Sequence, residues 1–176
     1  MLFSSRRLPD PRLNLTFQPD KPLPHATLFT VRVSAGTQAL DGSRLAADRV
    51  WTFETPRPRV VNIEPSAGAR FVELDHTILI EFNQPVDPVA VSKHISLEVS
   101  AQGSKTFPAY TAVRGDTTHQ RSVRLRPTVP FAKGASVLVR CLASLSGVEG
   151  TLSMGTEYTS SFGTYGDLAF LGVADS

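Results

Sequence analysis

The sequence predicts an all-β protein in which antiparallel sheets each bury one face against a second sheet. Three features indicate this fold: alternating apolar and polar residues, proline and glycine at the segment ends, and a long internal repeat. The alternation is strictest where Phe29, Val31 and Val33 are separated by single polar residues. Such period-two patterning is typical of an antiparallel strand that is half-buried in a β-sandwich.

Two segments, residues 15–55 and 123–164, repeat one pattern along the chain. The offset of 108 residues aligns prolines, an arginine and a glycine: Pro19 with Pro127, Pro22 with Pro130, Arg32 with Arg140, and Gly42 with Gly150. A one-residue insertion then aligns Phe53 with Phe162 and Thr55 with Thr164. A unit of this length matches a sandwich domain and is too long for a solenoid repeat.

Each copy is expected to contain a short strand ending at proline, an alternating strand, a glycine-bearing loop and a last strand. Asp87 before Pro88 predicts one turn of helix, because aspartate caps free N–H groups and proline fits the first helical position. Residues 103–120 are left open as a hairpin or a loop. The expected strands are Asn14–Phe17, Phe29–Ser34, Val50–Glu54, Val60–Ile63, Thr77–Phe82, Ile95–Val99, Val123–Leu125, Val137–Cys141 and Tyr158–Phe162, which gives about seven strands over residues 58–164.

These signals divide the chain into three parts. Residues 1–57 would be the C-terminal half of one sandwich unit, 58–164 a complete unit, and 165–176 a linker or the first strand of a following domain. Pro56 and Pro58 predict a stiff linker. Half a sandwich leaves an apolar face in water, at a cost of about 25 cal/mol per Å². We therefore expect a piece of a longer protein, in which residues 1–55 fold only against the second domain or a neighbouring chain.

Three motifs resemble those of bacterial Ig-like domains: Phe82-Asn-Gln-Pro-Val-Asp87, Leu125-Arg-Pro127 and Phe162-Gly-Thr164. This resemblance spans residues 15–164 and implies an Ig-like antiparallel β-sandwich. The first and last motifs are also similar to the N-terminal part of bacterial alpha-2-macroglobulin-like proteins, which trap proteases. The resemblance implies a structural module of a periplasmic, cell-surface or secreted protein, with neighbouring domains and, through the parent protein, proteases as partners.

Composition argues against several other functions. The chain has 176 residues and a net charge of +2, and its arginines are scattered, so a nucleic-acid-binding face is not expected. No apolar run is long enough to insert into a membrane, and residues 1–10 do not form a signal peptide. The single cysteine, Cys141, lacks the Cys-Gly-Glu-Gln thioester motif of many macroglobulins and aligns with the inward Val33, so we interpret it as a core residue.

No catalytic, cofactor-binding or metal-binding residue is predicted, and the chain is not expected to be an enzyme. His25, His76, His94 and His119 lack ligand spacing, Asp75, Asp87 and Asp116 stand apart, and no nucleophile motif is present. The tripeptide at 114–116, Arg-Gly-Asp, is too short to indicate integrin binding. Trp51 alternates with Phe53 and is interpreted as a core residue. The alternative function is a ligand-binding module, for carbohydrate or host proteins, that works through loops or a strand edge.

Overall fold

The computed structural model describes residues 17–116, 118 and 120–167, and every pair of strands in it is antiparallel. The described residues contain ten strands and one short helix. Their bounds are Leu28–Val33 (β1), Arg49–Glu54 (β2), Val60–Glu64 (β3), Ile78–Phe82 (β4), Pro88–Ser92 (α1), Ile95–Ala101 (β5), Ser104–Thr106 (β6), Tyr110–Arg114 (β7), Ser122–Pro127 (β8), Ser136–Cys141 (β9) and Tyr158–Gly163 (β10).

Strands β3 to β10 form a β-sandwich, which confirms the predicted fold class. One sheet has the order β10-β9-β5-β6 and the other the order β3-β4-β8-β7. Alternate residues of both sheets point inward and form one hydrophobic cluster, as period-two patterning requires. Its most deeply buried members are Ile78 and Ile80 in β4, Val123 and Leu125 in β8, and Val137 and Val139 in β9.

Helix α1 begins where the sequence predicts. The Asp87 side chain accepts hydrogen bonds from the backbone N–H groups of Val89 and Ala90, and Pro88 lies in the first turn. The helix connects the two sheets and is fastened by Tyr110, whose hydroxyl oxygen lies 2.8 Å from the Ser92 carbonyl oxygen. Burial raises the pKa of Tyr110 to about 12.

The stretch that the sequence leaves open contains two strands. Strand β6 pairs with the end of β5, and β7 pairs with β8, so residues 58–164 contain eight strands rather than about seven. Both are edge strands, and the three residues of β6 are all exposed. An edge strand that buries little has weak alternation, which explains why the pattern did not resolve it.

Strands β1 and β2 form a separate two-stranded sheet, which we call the N-terminal ribbon (residues 28–54). All six residues of β1 pair with β2. The predicted strand at 14–17 lies almost wholly outside the described residues, as does most of 165–176. The division into domains therefore stays a prediction.

Candidate functional site

The N-terminal ribbon carries an apolar face. Phe29 pairs with Phe53 and Val31 with Trp51, and directly opposed residues of antiparallel strands share a face. The rings of Phe29 and Phe53 stack with their centroids 5.3 Å apart. Trp51 is 49% exposed, while the other four residues of this set, which includes Val33, are only half-buried. We call these five residues the ribbon face.

The ribbon also has a free edge. Among the described residues, β1 pairs with β2 alone, so its outer row of N–H and C=O groups is not bonded to another strand. An exposed row of this kind is a template for pairing with a further strand. The ribbon therefore presents an apolar face and an unpaired strand edge together.

The ribbon has the same register as β9 and β10. The offset of 108 residues in β1 and 109 in β2 converts each of the six β1–β2 pairs into a β9–β10 pair. Thus the pair Phe29–Phe53 corresponds to Val137–Phe162, and Val31–Trp51 corresponds to Val139–Ser160. The repeat seen in the sequence is therefore a repeat of one hairpin with one register.

The two closing threonines make equivalent hydrogen bonds. The Thr55 hydroxyl donates to the Pro24 carbonyl at 2.7 Å and accepts from the Thr27 N–H at 3.0 Å. In the second copy the Thr164 hydroxyl donates to the Ala132 carbonyl at 2.8 Å and accepts from the Ala135 N–H at 2.8 Å. Both threonines are buried, so these bonds stabilise the loop that precedes each hairpin.

The environments of the two hairpins differ. In the sandwich, β5 pairs with the outer edge of β9, and the second sheet covers the inward face. Phe162 is consequently 3% exposed, whereas the equivalent Phe53 is only half-buried. The ribbon face is thus the counterpart of a buried core surface.

A second surface joins the ribbon to the sandwich, and we call it the junction (residues 25–26 and 149–152). The Ala26 carbonyl accepts hydrogen bonds from the N–H groups of Thr151, at 3.0 Å, and Leu152, at 2.8 Å. The Glu149 carboxylate accepts from the His25 N–H at 2.8 Å and lies 2.9 Å from its Nδ1. These bonds, first from the backbone and then from the side chain of His25, lower the pKa of Glu149.

Gly150 allows the two parts of the junction to approach closely. Its φ is +64°, and a Cβ at this position would lie 2.2 Å from the Ala26 carbonyl oxygen. Only glycine combines this left-handed backbone with so close an approach. The equivalent Gly42 also has a positive φ, but a Cβ there would meet its nearest atom at 3.9 Å.

The linker after the ribbon is also held. Asn83 donates through Nδ2 to the Arg57 carbonyl at 2.9 Å and accepts through Oδ1 from the Arg59 N–H at 2.8 Å. The Arg57 guanidinium pairs with Glu54 at the end of the ribbon. The linker therefore contacts the sandwich on one side and the ribbon on the other.

One prediction about a single residue was wrong. Trp51 lies on the same face as Phe53, as the alternation indicates, but it is half-exposed and not a core residue. The reason is tertiary: the described residues supply no second sheet to cover this face. Alternation shows which residues share a face and does not show whether that face is covered.

Two other predictions about single residues are confirmed. Cys141 is fully buried, and this burial raises the pKa of its thiol to about 12. Asp87 caps α1. Asp116, in the tripeptide at 114–116, accepts hydrogen bonds from the Gln120 and Arg121 N–H groups and so closes a turn.

The histidines do not come together. His25 lies at the junction, the Nδ1 of His94 is 3.0 Å from the Ser144 hydroxyl, and His119 lies outside the described residues. Within 17–116, 118 and 120–167, no three metal-ligating side chains cluster. In this same part of the chain, no helix is long and apolar enough to cross a membrane.

The sequence did not predict the junction. Glu149 and Gly150 were recognised only as a loop between strands, and His25 only as an isolated histidine. Their partners lie more than a hundred positions away along the chain. The clue within the sequence was the glycine shared by both repeats, which marks the loop but not what it contacts.

Comparison with known proteins agrees with this architecture. Part of the chain is 33% identical over 86 residues to an alpha-2-macroglobulin homolog from Nostoc sp., a match that covers 46% of this chain but only 4% of that protein. Among solved structures, CopC from Methylosinus trichosporium OB3b is similar at 18% identity and a TM-score of 0.44, covering 65% of this chain and 99% of that one. The N-terminal part of the bacterial S-layer protein SbsC is similar at 18% identity and a TM-score of 0.39, covering 62% and 24%.

A family match covers most of the chain. Residues 54–164, which run from the end of the ribbon to the threonine that closes the sandwich, match the family described as the bacterial Ig-like domain. The eight strands and the single core of the sandwich lie inside this match. The chain therefore belongs to the bacterial Ig-like domain family.

Proposed function

We propose that the chain is a non-catalytic structural and interaction module of a larger protein in the bacterial cell envelope or outside the cell. The observation that carries this proposal is the junction, which attaches a repeated hairpin to a complete sandwich. Two backbone hydrogen bonds to Ala26, the Glu149 carboxylate and the close approach of Gly150 hold the two parts together. A module whose role is to position its neighbours needs such a contact, because short linkers alone leave domains free to move.

Within that role, we propose that the parent protein is an alpha-2-macroglobulin-like protease trap and that this chain is part of its scaffold. The match to the macroglobulin homolog supports the assignment, although the chain spans a small part of that protein's length. The only thiol of the chain is buried and has a raised pKa, so Cys141 is suited to packing and not to covalent capture. Its partners would be neighbouring domains and, through the parent, proteases, with no role for nucleic acid.

Protease shielding tests this assignment. The parent protein and the isolated chain are each mixed with a panel of endoproteases, and activity is measured on a large protein substrate and on a small peptide substrate. We expect the parent to block cleavage of the large substrate only, because an enclosed protease still admits small molecules, and the isolated chain to block neither. Inhibition by the isolated chain, or no shielding by the parent, would contradict the assignment.

A second function is favoured by one observation, the exposure of Trp51. An exposed indole beside stacked phenylalanines resembles a platform for sugar rings. Retardation in native gels containing soluble polysaccharides tests this function. If it is correct, Trp51→Ala abolishes retardation and Phe71→Ala, at another exposed aromatic residue, leaves it unchanged. Equal mobility of all three proteins with and without polysaccharide would exclude it.

A further inference from the structure

We propose that the ribbon face and the free edge of β1 are the binding site for the complementary half of an Ig-like sandwich. That partner places one antiparallel strand beside β1 and an apolar sheet across the face. The inference names a partner for the proposed interaction module and rests on that role, but it does not depend on protease trapping.

The position of the partner strand follows from the common register. In the sandwich, β5 lies antiparallel to β9, with Leu97 opposite Val139 and Val99 opposite Val137. Because β1 has the register of β9, an equivalent strand would place apolar residues opposite Val31 and Phe29. The partner strand is therefore one with apolar residues at alternate positions and about six residues to pair.

The covering sheet follows from the same comparison. The face of β9 and β10 that corresponds to the ribbon face is covered by β3, β4, β8 and β7, whose inward residues are aliphatic. The equivalent of Ser160, however, is Trp51. A partner that fits must leave room for an indole where the sandwich accommodates a hydroxyl, because overpacking a core is destabilising.

The chemistry of the face favours an apolar sheet over a sugar or a charged peptide. Besides its five apolar residues, the only other residue of β1 and β2 on this side is Arg49, which pairs with Val33. Recognition of sugar hydroxyls needs several convergent polar groups. A contiguous apolar surface beside an open strand edge instead matches the two components of a sandwich interface, packing and a hydrogen-bonded ladder.

A grafted chain tests the proposal. Residues 58–121 replace residues 1–13, so that a second copy of β3 to β7 precedes the ribbon in the order in which the complete unit has them. The matched control carries Leu97→Asp in the grafted copy alone. A third protein combines the graft with Trp51→Ser, which removes the excess volume opposite the covering sheet.

Two readouts report on the site. Hydrogen exchange of peptides from 28–33 reports on the β1 edge, and the fluorescence of Trp51, the single tryptophan, reports on the face. Relative to the full chain, we expect the graft or its Trp51→Ser form to slow β1 exchange at least tenfold. In the form that retains Trp51, we also expect blue-shifted emission that acrylamide quenches less. The Leu97→Asp control should behave as the full chain does.

The outcomes separate this inference from the proposed function. If neither graft slows β1 exchange beyond the control, the complementary half is not the partner, and protease shielding by the parent still stands or falls by its own assay. If the full chain alone shields Trp51 and forms dimers as its concentration rises in sedimentation experiments, a second copy occupies the face and the inference is wrong. Shielding of Trp51 by a soluble polysaccharide would also overturn it, in favour of the sugar platform.

Discussion

The hairpin β1–β2 and the hairpin β9–β10 have the same register and the same closing threonine, yet only the second is inside a core. Val139 is fully buried while its equivalent Val31 is half-buried, and Phe162 is covered while Phe53 is not. The difference shows that the alternating sequence determines the hairpin and its faces, whereas burial depends on strands that are distant in sequence. Equivalent substitutions in the two hairpins should therefore have unequal effects.

The largest expected effect is at the equivalent phenylalanines. Phe162→Ala should lower the free energy of unfolding by about 3–5 kcal/mol, because it opens a cavity where Phe162 contacts Phe131 edge-to-face. Phe53→Ala should lower it by only about 1 kcal/mol, mainly through the lost stack on Phe29. Urea denaturation followed by circular dichroism measures both. Equal losses would mean that the ribbon face is as well covered as the core.

The next effect concerns the equivalent glycines. Gly150→Ala and Gly42→Ala both place a side chain on a left-handed backbone, at a cost of about 1–2 kcal/mol. Gly150→Ala should cost about 1–3 kcal/mol more, because its Cβ collides with the Ala26 carbonyl at the junction.

Tryptic cleavage after Arg59 measures the opening of the junction, because the linker loses its support when the ribbon separates from the sandwich. The Gly150→Ala chain should be cleaved faster than the Gly42→Ala chain under native conditions. Indistinguishable cleavage rates and stabilities would show that the junction is not closely packed.

The smallest effect is the dependence of the junction on pH. The pKa of Glu149 is lowered in the folded chain, so its ionised form stabilises the junction above the ordinary glutamate pKa, about 4.3. This contribution is lost as the pH falls through the lowered pKa. Because the side chain is 41% exposed, we expect less than about 1 kcal/mol.

Glu149→Gln should therefore flatten the acid side of the stability curve, measured as urea midpoints between neutral pH and about pH 3. The control is Glu157→Gln, which removes an exposed ion pair with Arg140 and leaves the junction intact. An unchanged acid limb in Glu149→Gln would show that this carboxylate does not couple the junction to pH.

Several elements could be predicted from the sequence because their signals are local. The alternation around Val31 and Val139 predicted both strands and their faces, and the Asp87-Pro88 pair predicted α1 with its cap. The aligned phenylalanines, Phe53 and Phe162, anticipated the common register. Strands β6 and β7 escaped prediction because edge strands bury too little to alternate clearly.

By itself, then, the sequence determined the all-β class, the repeated hairpin and the inward position of Cys141, since each depends on residues within a few positions of one another. Only the tertiary structure decided that Glu149 binds His25, that Gly150 packs on Ala26 and that Trp51 is exposed. Each of these depends on which distant segment meets the hairpin. Two hairpins of one pattern can therefore differ in exposure, because period-two alternation carries no information about the surface that will cover them.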